Sequence, residues 1–473
     1  MRRDTRRQGE NTRAVHLPSP PVPQQSPVGL PVWRTSAFAF AGAAEHADLV
    51  SGGTAGHHHG CVANPTADAF ASGLASLEGA GLSGEPVEGQ AFGSGMAAVT
   101  AVFLAFARTG AHVVAPSSVY AGVRDLLTGT LNRFGVDTTF VDMSDADAVL
   151  AAMRPTTRLV WAETLSEAGL GVPPLPLLAE IAHEGDALFA VDSTLTTPVV
   201  CRPLEYGADL VVHSASTFIG GHGDATGGAV IGRPKLLEAV RRARVETGSV
   251  LAPDEAFLLR RGLETLPVRV RRQCDTANLF AAAVAGHPGV RAVEYPGLPG
   301  HPGHQSARKL FTRGPEGTRF GAIVTVAPRG GREAGLALVD ALRLPMVATS
   351  LGGTHTTVAH VASTTHHRLD EAGLAAAGVD PAAVRFSIGL EDADDLVRDV
   401  TEALDTISRV LRPTGPPTPP GPSSPPAGPP APPGAAGAPA PPASPASPAS
   451  PASPASPAPP APPAQAPLVA KPR

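Results

Sequence analysis

ALFAVDS at 187–193 and DLVVHS at 209–214 decide the fold. Each is an apolar run of strand length that ends on polar residues, Asp192-Ser193 in the first and His213-Ser214 in the second. Strands with one wet face alternate polar and apolar residues. These two do not, so they predict strands covered on both faces, as in a parallel sheet. Working outward, HVVAP (112–116), TTFVDM (138–143), RLVWAE (158–163) and GGAVIG (227–232) read as strands too. Helical patterns such as VRDLLTGTLNRFG and PLLAEIAHEG lie between them. Strand and helix in alternation predict βαβ units, so the fold class is α/β.

Around this centre the chain divides into four parts. Residues 1–60 read as an arm, with the proline-rich PSPPVPQQSP and the loop-like HADLVSGGTAGHHHG. Residues 61–265 hold the α/β pattern. Residues 266–412 form a smaller α+β unit: a helical stretch VRVRRQCDTANLFAAAVAG, strands VRAVEY and GAIVTVAP, and a closing amphipathic helix EDADDLVRDVTEALDTISRVL. Residues 413–473 repeat Ala-Ser-Pro units, and half of the 52 prolines fall after Leu411. Such a tail has too little apolar surface to offset its ordering entropy and reads as disordered.

Composition excludes several functions. A net charge of −5 over 473 residues provides no global basic field for nucleic acid. No run of about 20 apolar residues exists to span a bilayer. The basic N-terminus has no apolar segment behind it, as a secretory signal would need. Cys61, Cys201 and Cys274 are scattered, without a CxxC pair, and predict a reduced, cytoplasmic protein. The run His57-His58-His59 lacks acidic or cysteine companions, so a loop is expected there rather than a metal site.

In doubly wound sheets, ligands bind beyond the carboxyl ends of the strands. FGSGMAA (92–98) is a Gly-Ser-Gly turn opening a helix, a place where backbone N–H groups bind phosphate. Tyr120 follows HVVAP in a loop and could stack on a planar ligand or cover the core. Asp192 at its strand end needs a partner: a cationic ring nitrogen, a backbone donor or an arginine. Ser214, Ser216 and Thr217 offer hydroxyls beside glycines that permit close approach.

These motifs, with SSVYAG, WAETLSEAGL, AVDSTLTTPV, HSASTFIGGHGD, RGLETLPVR, YPGL, TSLGG and RFSIGLED, stand in the order and spacing of one family. The chain resembles the Cys/Met-metabolism enzymes that use pyridoxal 5′-phosphate (PLP): cystathionine synthases and lyases, and methionine γ-lyase. The resemblance spans about residues 10–411. It implies fold type I, the aspartate aminotransferase-like fold, with a mostly parallel seven-stranded sheet between helices and a smaller α+β domain. It implies a homodimer or homotetramer acting on sulfur amino acids by transsulfuration, C–S cleavage or γ-replacement. Ser94, Gly95 and Met96 match the phosphate-binding helix start, and Ser214 and Ser216 the phosphate-binding hydroxyls. Tyr120 matches the tyrosine stacked on the pyridine ring, and Asp192 the partner of its protonated nitrogen. Arg385 matches the arginine that grips the substrate carboxylate, with Ser350 beside it.

Three positions depart from the family pattern. His-Ser-Ala-Thr-Lys reads His213-Ser214-Ala215-Ser216-Thr217, so threonine replaces the lysine that forms the resting Schiff base and moves protons. The chain's three lysines, Lys235, Lys309 and Lys471, lie elsewhere. The Tyr-x-Arg pair that binds phosphate across subunits reads His59-Gly60-Cys61, before an intact Asn64-Pro65-Thr66. The asparagine near the cofactor's 3′-oxygen reads Glu167, a carboxylate beside a usually anionic oxygen. Three functions remain open. One is altered catalysis on noncovalently bound PLP, with His213 or His222 as base. Another is a noncatalytic subunit assembling with a lysine-bearing homologue. The third is amino-acid binding through Arg385 without PLP chemistry.

Overall fold

The computed structural model describes residues 9–17, 27–84, 86–167, 169–314 and 317–410. The tail at 413–473, with Lys471, lies outside them, as does most of the proline-rich stretch at 18–27. A seven-stranded sheet is built from β1 (Glu88–Phe92), β2 (His112–Pro116), β3 (Asp137–Val141), β4 (Thr157–Glu163), β5 (Leu188–Asp192), β6 (Leu210–Ser214) and β7 (Gly228–Gly232), in the order β1-β7-β6-β5-β4-β2-β3. β2 to β6 pair in parallel, and β7 runs antiparallel to both β1 and β6. The six strands read from the sequence all form. The unread one is β1, whose EGQAF carries a glycine and two polar residues. Its place comes from pairing with β7, which overrides weak strand propensity.

The apolar strands are buried on both faces. Every residue of β2 and β7 is buried. On one face lies the helix Gly95–Phe106, packed on β6, β7 and the helix Pro234–Thr247. Phe103 of that helix meets Trp161 of β4 with ring centroids 5.1 Å apart. A tilted aromatic pair adds about 0.5–1.5 kcal/mol beyond its buried area. It helps fix the helix, and hence its N-terminus, over the carboxyl ends of the strands.

A ribbon, β9 (Arg313–Gly314) and β10 (Gly317–Thr318), follows β8 (Val290–Glu294). β8 joins β11 (Ile323–Pro328), β12 (Met346–Val347), β13 (Thr357–His360) and β14 (Val384–Ser387) in a second sheet, ordered β12-β13-β14-β11-β8. The helix Pro253–Ala285 runs unbroken through residues 265–266, where the sequence changes pattern. One apolar core contains Val191 and Val211 of the first sheet together with Val324 and Phe386 of the second. No helix among the described residues is long and apolar enough to cross a membrane.

Candidate active site

The strand ends converge on one cavity of about 560 Å³. Ser94, Gly95, Met96, Ser214 and Ser216 line it at the corner around the start of the helix Gly95–Phe106. Ser94 has extended backbone and caps the helix Gly95–Phe106, its Oγ accepting from the Ala97 N–H at 3.1 Å. The first-turn amides of that helix have no partner within it, and the corner lies at the positive end of its dipole. Gly95 is required by crowding: a Cβ there would lie 2.6 Å from the Ser214 Cβ and 2.7 Å from its Oγ. The Ser216 hydroxyl is tied to Gly227, accepting from its N–H at 3.0 Å and donating to its carbonyl at 3.3 Å.

The next wall carries Asp192, Tyr120 and Thr217. β4 and β5 place Glu163 directly beside Asp192 in register. The Asp192 Oδ1 accepts from the Thr194 N–H at 2.9 Å. Loss of water raises the Asp192 carboxyl above its ordinary range, and hydrogen bonds from Thr194 pull it back. Burial pushes Glu163 well above the carboxylate range, and the Asp192 charge pushes it further. Glu163 also holds the Tyr120 backbone, its Oε1 accepting from that N–H at 2.8 Å. Tyr120 leads the short helix Ala121–Asp125, and burial raises its phenol, with Glu167 adding to the shift.

Thr217 faces the same space, its hydroxyl donating to the Ser214 carbonyl at 2.8 Å. Lys235 and Lys309 are exposed and line none of the cavity. The two histidines considered as bases are elsewhere as well. His213 is fully buried, with its Nε2 2.6 Å from the Glu78 carboxylate. The Nδ1 of His222 bonds the Gly220 carbonyl at 2.8 Å. β6 alternates its side chains, so His213 points away from the face that Ser214 presents.

Ser350 and Arg385 close the far end. Arg385, on β14, is buried and ion-paired with Glu167. The family resemblance puts Glu167 near the cofactor's 3′-oxygen; in the structure its carboxylate lines the cavity and pairs with Arg385. Ser94, Gly95, Met96, Tyr120, Asp192, Ser214, Ser216, Thr217, Ser350 and Arg385 thus share one cavity with Glu167, while His213 and His222 do not line it. Glu163, Thr194, Leu165 and Thr365 line it too and carried no separate signal. Elsewhere, His57 bonds Asp68 at 2.8 Å, and no metal-binding group occurs among the described residues. The three cysteines are free, Cys61 exposed and the other two buried.

The profile of the family described as Cys/Met metabolism PLP-dependent enzyme matches residues 11–405. L-methionine gamma-lyase of Fusobacterium nucleatum is 36% identical over 383 residues, covering 80% of this chain and 94% of the relative. Cystathionine gamma-synthase of Mycobacterium tuberculosis is 37% identical over 397 residues, covering 84% and 97%. The crystal structure of cystathionine gamma-synthase from Xanthomonas oryzae pv. oryzae, in complex with aminoacrylate and cysteine, superposes with a TM-score of 0.78 at 32% identity, over 85% of this chain and 99% of that one. The architecture is that of fold type I, and the cofactor of the family is pyridoxal phosphate. By sequence profile, relatives and fold, this chain belongs to the PLP-dependent enzymes of Cys/Met metabolism, of the transsulfuration type.

Proposed function

We propose that this chain holds PLP in the cavity without a covalent link and has lost the lysine-dependent chemistry of its family. The observation that carries this is Thr217. By the family motif it takes the lysine's position; it lines the cavity, its hydroxyl is spent on the Ser214 carbonyl, and neither described lysine lines the cavity. A hydroxyl cannot form an imine and is a poor base near neutral pH.

The rest of the site fits the cofactor. The corner beside Gly95 would be filled by any Cβ, and it opens onto first-turn amides suited to an anion. Asp192 is a carboxyl raised by burial, and a cationic ring nitrogen would relieve it. Tyr120 offers an aromatic face held by Glu163. Bound PLP supplies an electron sink. The residues that would hold it are the helix start, Ser214 and Ser216 for the phosphate, Asp192 for the ring nitrogen and Tyr120 for the ring face. With His213 sealed against Glu78 and His222 off the cavity, no histidine lining it is available to move a proton.

The test is an absorption spectrum of the chain after incubation with PLP and desalting, with and without borohydride. The wild type is expected to retain PLP that borohydride does not fix to protein. Thr217→Lys is expected to retain PLP that borohydride does fix. Covalent fixation in the wild type overturns the proposal and makes Lys235 the first anchor to examine. Loss of PLP from both proteins also overturns it, and a mixed oligomer with a lysine-bearing homologue becomes the next object of study.

A further inference from the structure

Thr194 lies between Asp192 and Ser214 on the cavity wall and is bonded to both. β5 and β6 run in parallel with Asp192 opposite Val212, and the ladder continues one step past β5, where the Ser193 N–H donates to the Val212 carbonyl at 2.9 Å. The next rung of a parallel ladder would take the Ser214 N–H to the Ser193 carbonyl. Here the chain turns away, and that carbonyl accepts from the Thr197 N–H at 2.8 Å. The Thr194 side chain takes over the rung, its Oγ1 accepting from the Ser214 N–H at 2.8 Å. The same residue serves Asp192. Its N–H donates to Oδ1 at 2.9 Å, and its hydroxyl, which still has a hydrogen to give, also favours the ionised carboxylate.

We propose that Thr194 is a positioning residue, which keeps the Asp192 carboxylate charged and in place while it fixes the backbone of Ser214. The ionisable groups that face Asp192 are Glu163 beside it on β4, Glu167 after β4, the Tyr120 phenol and His213 on β6. Of these, His213 alone favours a negative Asp192. Burial raises the carboxyl, and the two hydrogen bonds from Thr194 pull it back more than His213 does. The proposal rests on the PLP reading of the cavity only for its ligand readout; the charge of Asp192 is read from the protein alone.

The test uses the full chain carrying Thr194→Val or Thr194→Ser, each alone and combined with Asp192→Asn. Thr194→Val keeps the shape and removes the hydroxyl. Asp192 is raised in the folded state, so its contribution to stability is fully present below the unfolded value and is lost as pH rises through the folded one. Without the hydroxyl the carboxyl rises further and the loss grows. The Tm deficit of PLP-free Thr194→Val is therefore expected to widen by about 2 °C between about pH 4 and pH 8, one decade spread over roughly 400 residues. With Asp192→Asn the deficit should stay flat, because only the orphaned Ser214 N–H remains. Thr194→Ser should recover the wild-type profile. PLP affinity, by absorbance titration, is expected to fall at least about tenfold in Thr194→Val and less than about threefold in Thr194→Ser. The proposal is overturned by a deficit that does not change with pH, by the same widening without the Asp192 charge, by unchanged PLP affinity in Thr194→Val, or by a serine variant that behaves like the valine one. Thr194→Ala carries the same expectations if Thr194→Val does not fold. If the wild type takes up no PLP, the PLP reading of the cavity falls, and the melting profiles still decide the role of Thr194.

Discussion

Replacing Gly95 by alanine tests whether the helix start is the anion corner. The added Cβ would sit 2.6 Å from the Ser214 Cβ, 2.7 Å from its Oγ and 3.0 Å from its Cα. Ordinary carbon contacts are about 3.5–4.0 Å, so something must move by roughly 1 Å. Ser214 cannot yield freely. Its N–H donates to the Thr194 Oγ1 at 2.8 Å, its carbonyl accepts from Thr217, and β6 holds it opposite Gly228. Overpacking of this kind costs about 1–3 kcal/mol. Spread over the unfolding entropy of roughly 400 residues, that lowers Tm by only about 1–4 °C. The corner itself, however, is displaced by a large fraction of an ångström. PLP affinity, followed by absorbance titration, is therefore expected to fall by at least about tenfold, far more than the melting shift suggests. Gly129→Ala is the control. A Cβ there meets nothing within 4 Å, and the change should be neutral to stabilising by up to about 1 kcal/mol with PLP binding unchanged. If Gly95→Ala binds PLP like the wild type while its Tm shifts as expected, the phosphate lies elsewhere and the reasoning fails.

Glu163→Gln should stabilise the protein near neutral pH and do little near pH 4. The folded carboxyl is raised, so the folded state holds a proton that the unfolded state has released, and wild-type stability falls as pH rises from the unfolded value toward the folded one. Melting curves across pH check this, and a Tm difference that does not grow with pH contradicts it. A thiol reagent should label one cysteine, Cys61, in the native protein and all three after denaturation. Cys201 and Cys274 are buried, and burial pushes the Cys274 thiol up to about 12. Arg269→Met should be severely destabilising in chemical denaturation. Its guanidinium donates to the carbonyls of Phe218, Ile219 and Gly262, and each orphaned carbonyl costs about 1–3 kcal/mol. Arg269→Lys should rescue little, because an ammonium cannot reproduce the fork, and full recovery would contradict this assignment.

The pattern of the sequence alone placed six strands of the main sheet and the strand-end residues of the cavity; Ser350 and Arg385, in the second unit, were named only through the family resemblance. The physical reason is that a parallel sheet brings all its carboxyl ends to one edge, so polar residues that follow apolar runs share a site however far apart they are in the chain. HVVAP, ALFAVDS and DLVVHS therefore delivered Tyr120, Asp192, Ser214 and Thr217 together. β1 was invisible because EGQAF is not a strand by composition; its pairing with β7 makes it one. Charge pairing was equally hidden. Nothing local tells Glu167 that its neighbour is Arg385, 218 residues on in another sheet, or tells His213 that Glu78 lies against it. Strand order and packing decide which charges meet, and burial decides what the meeting costs. The five letters His213-Ser214-Ala215-Ser216-Thr217, set against the family motif the chain resembles, put a threonine where a lysine is expected. Only the tertiary structure disclosed that the same cavity has also turned its arginine inward, onto a carboxylate of its own chain.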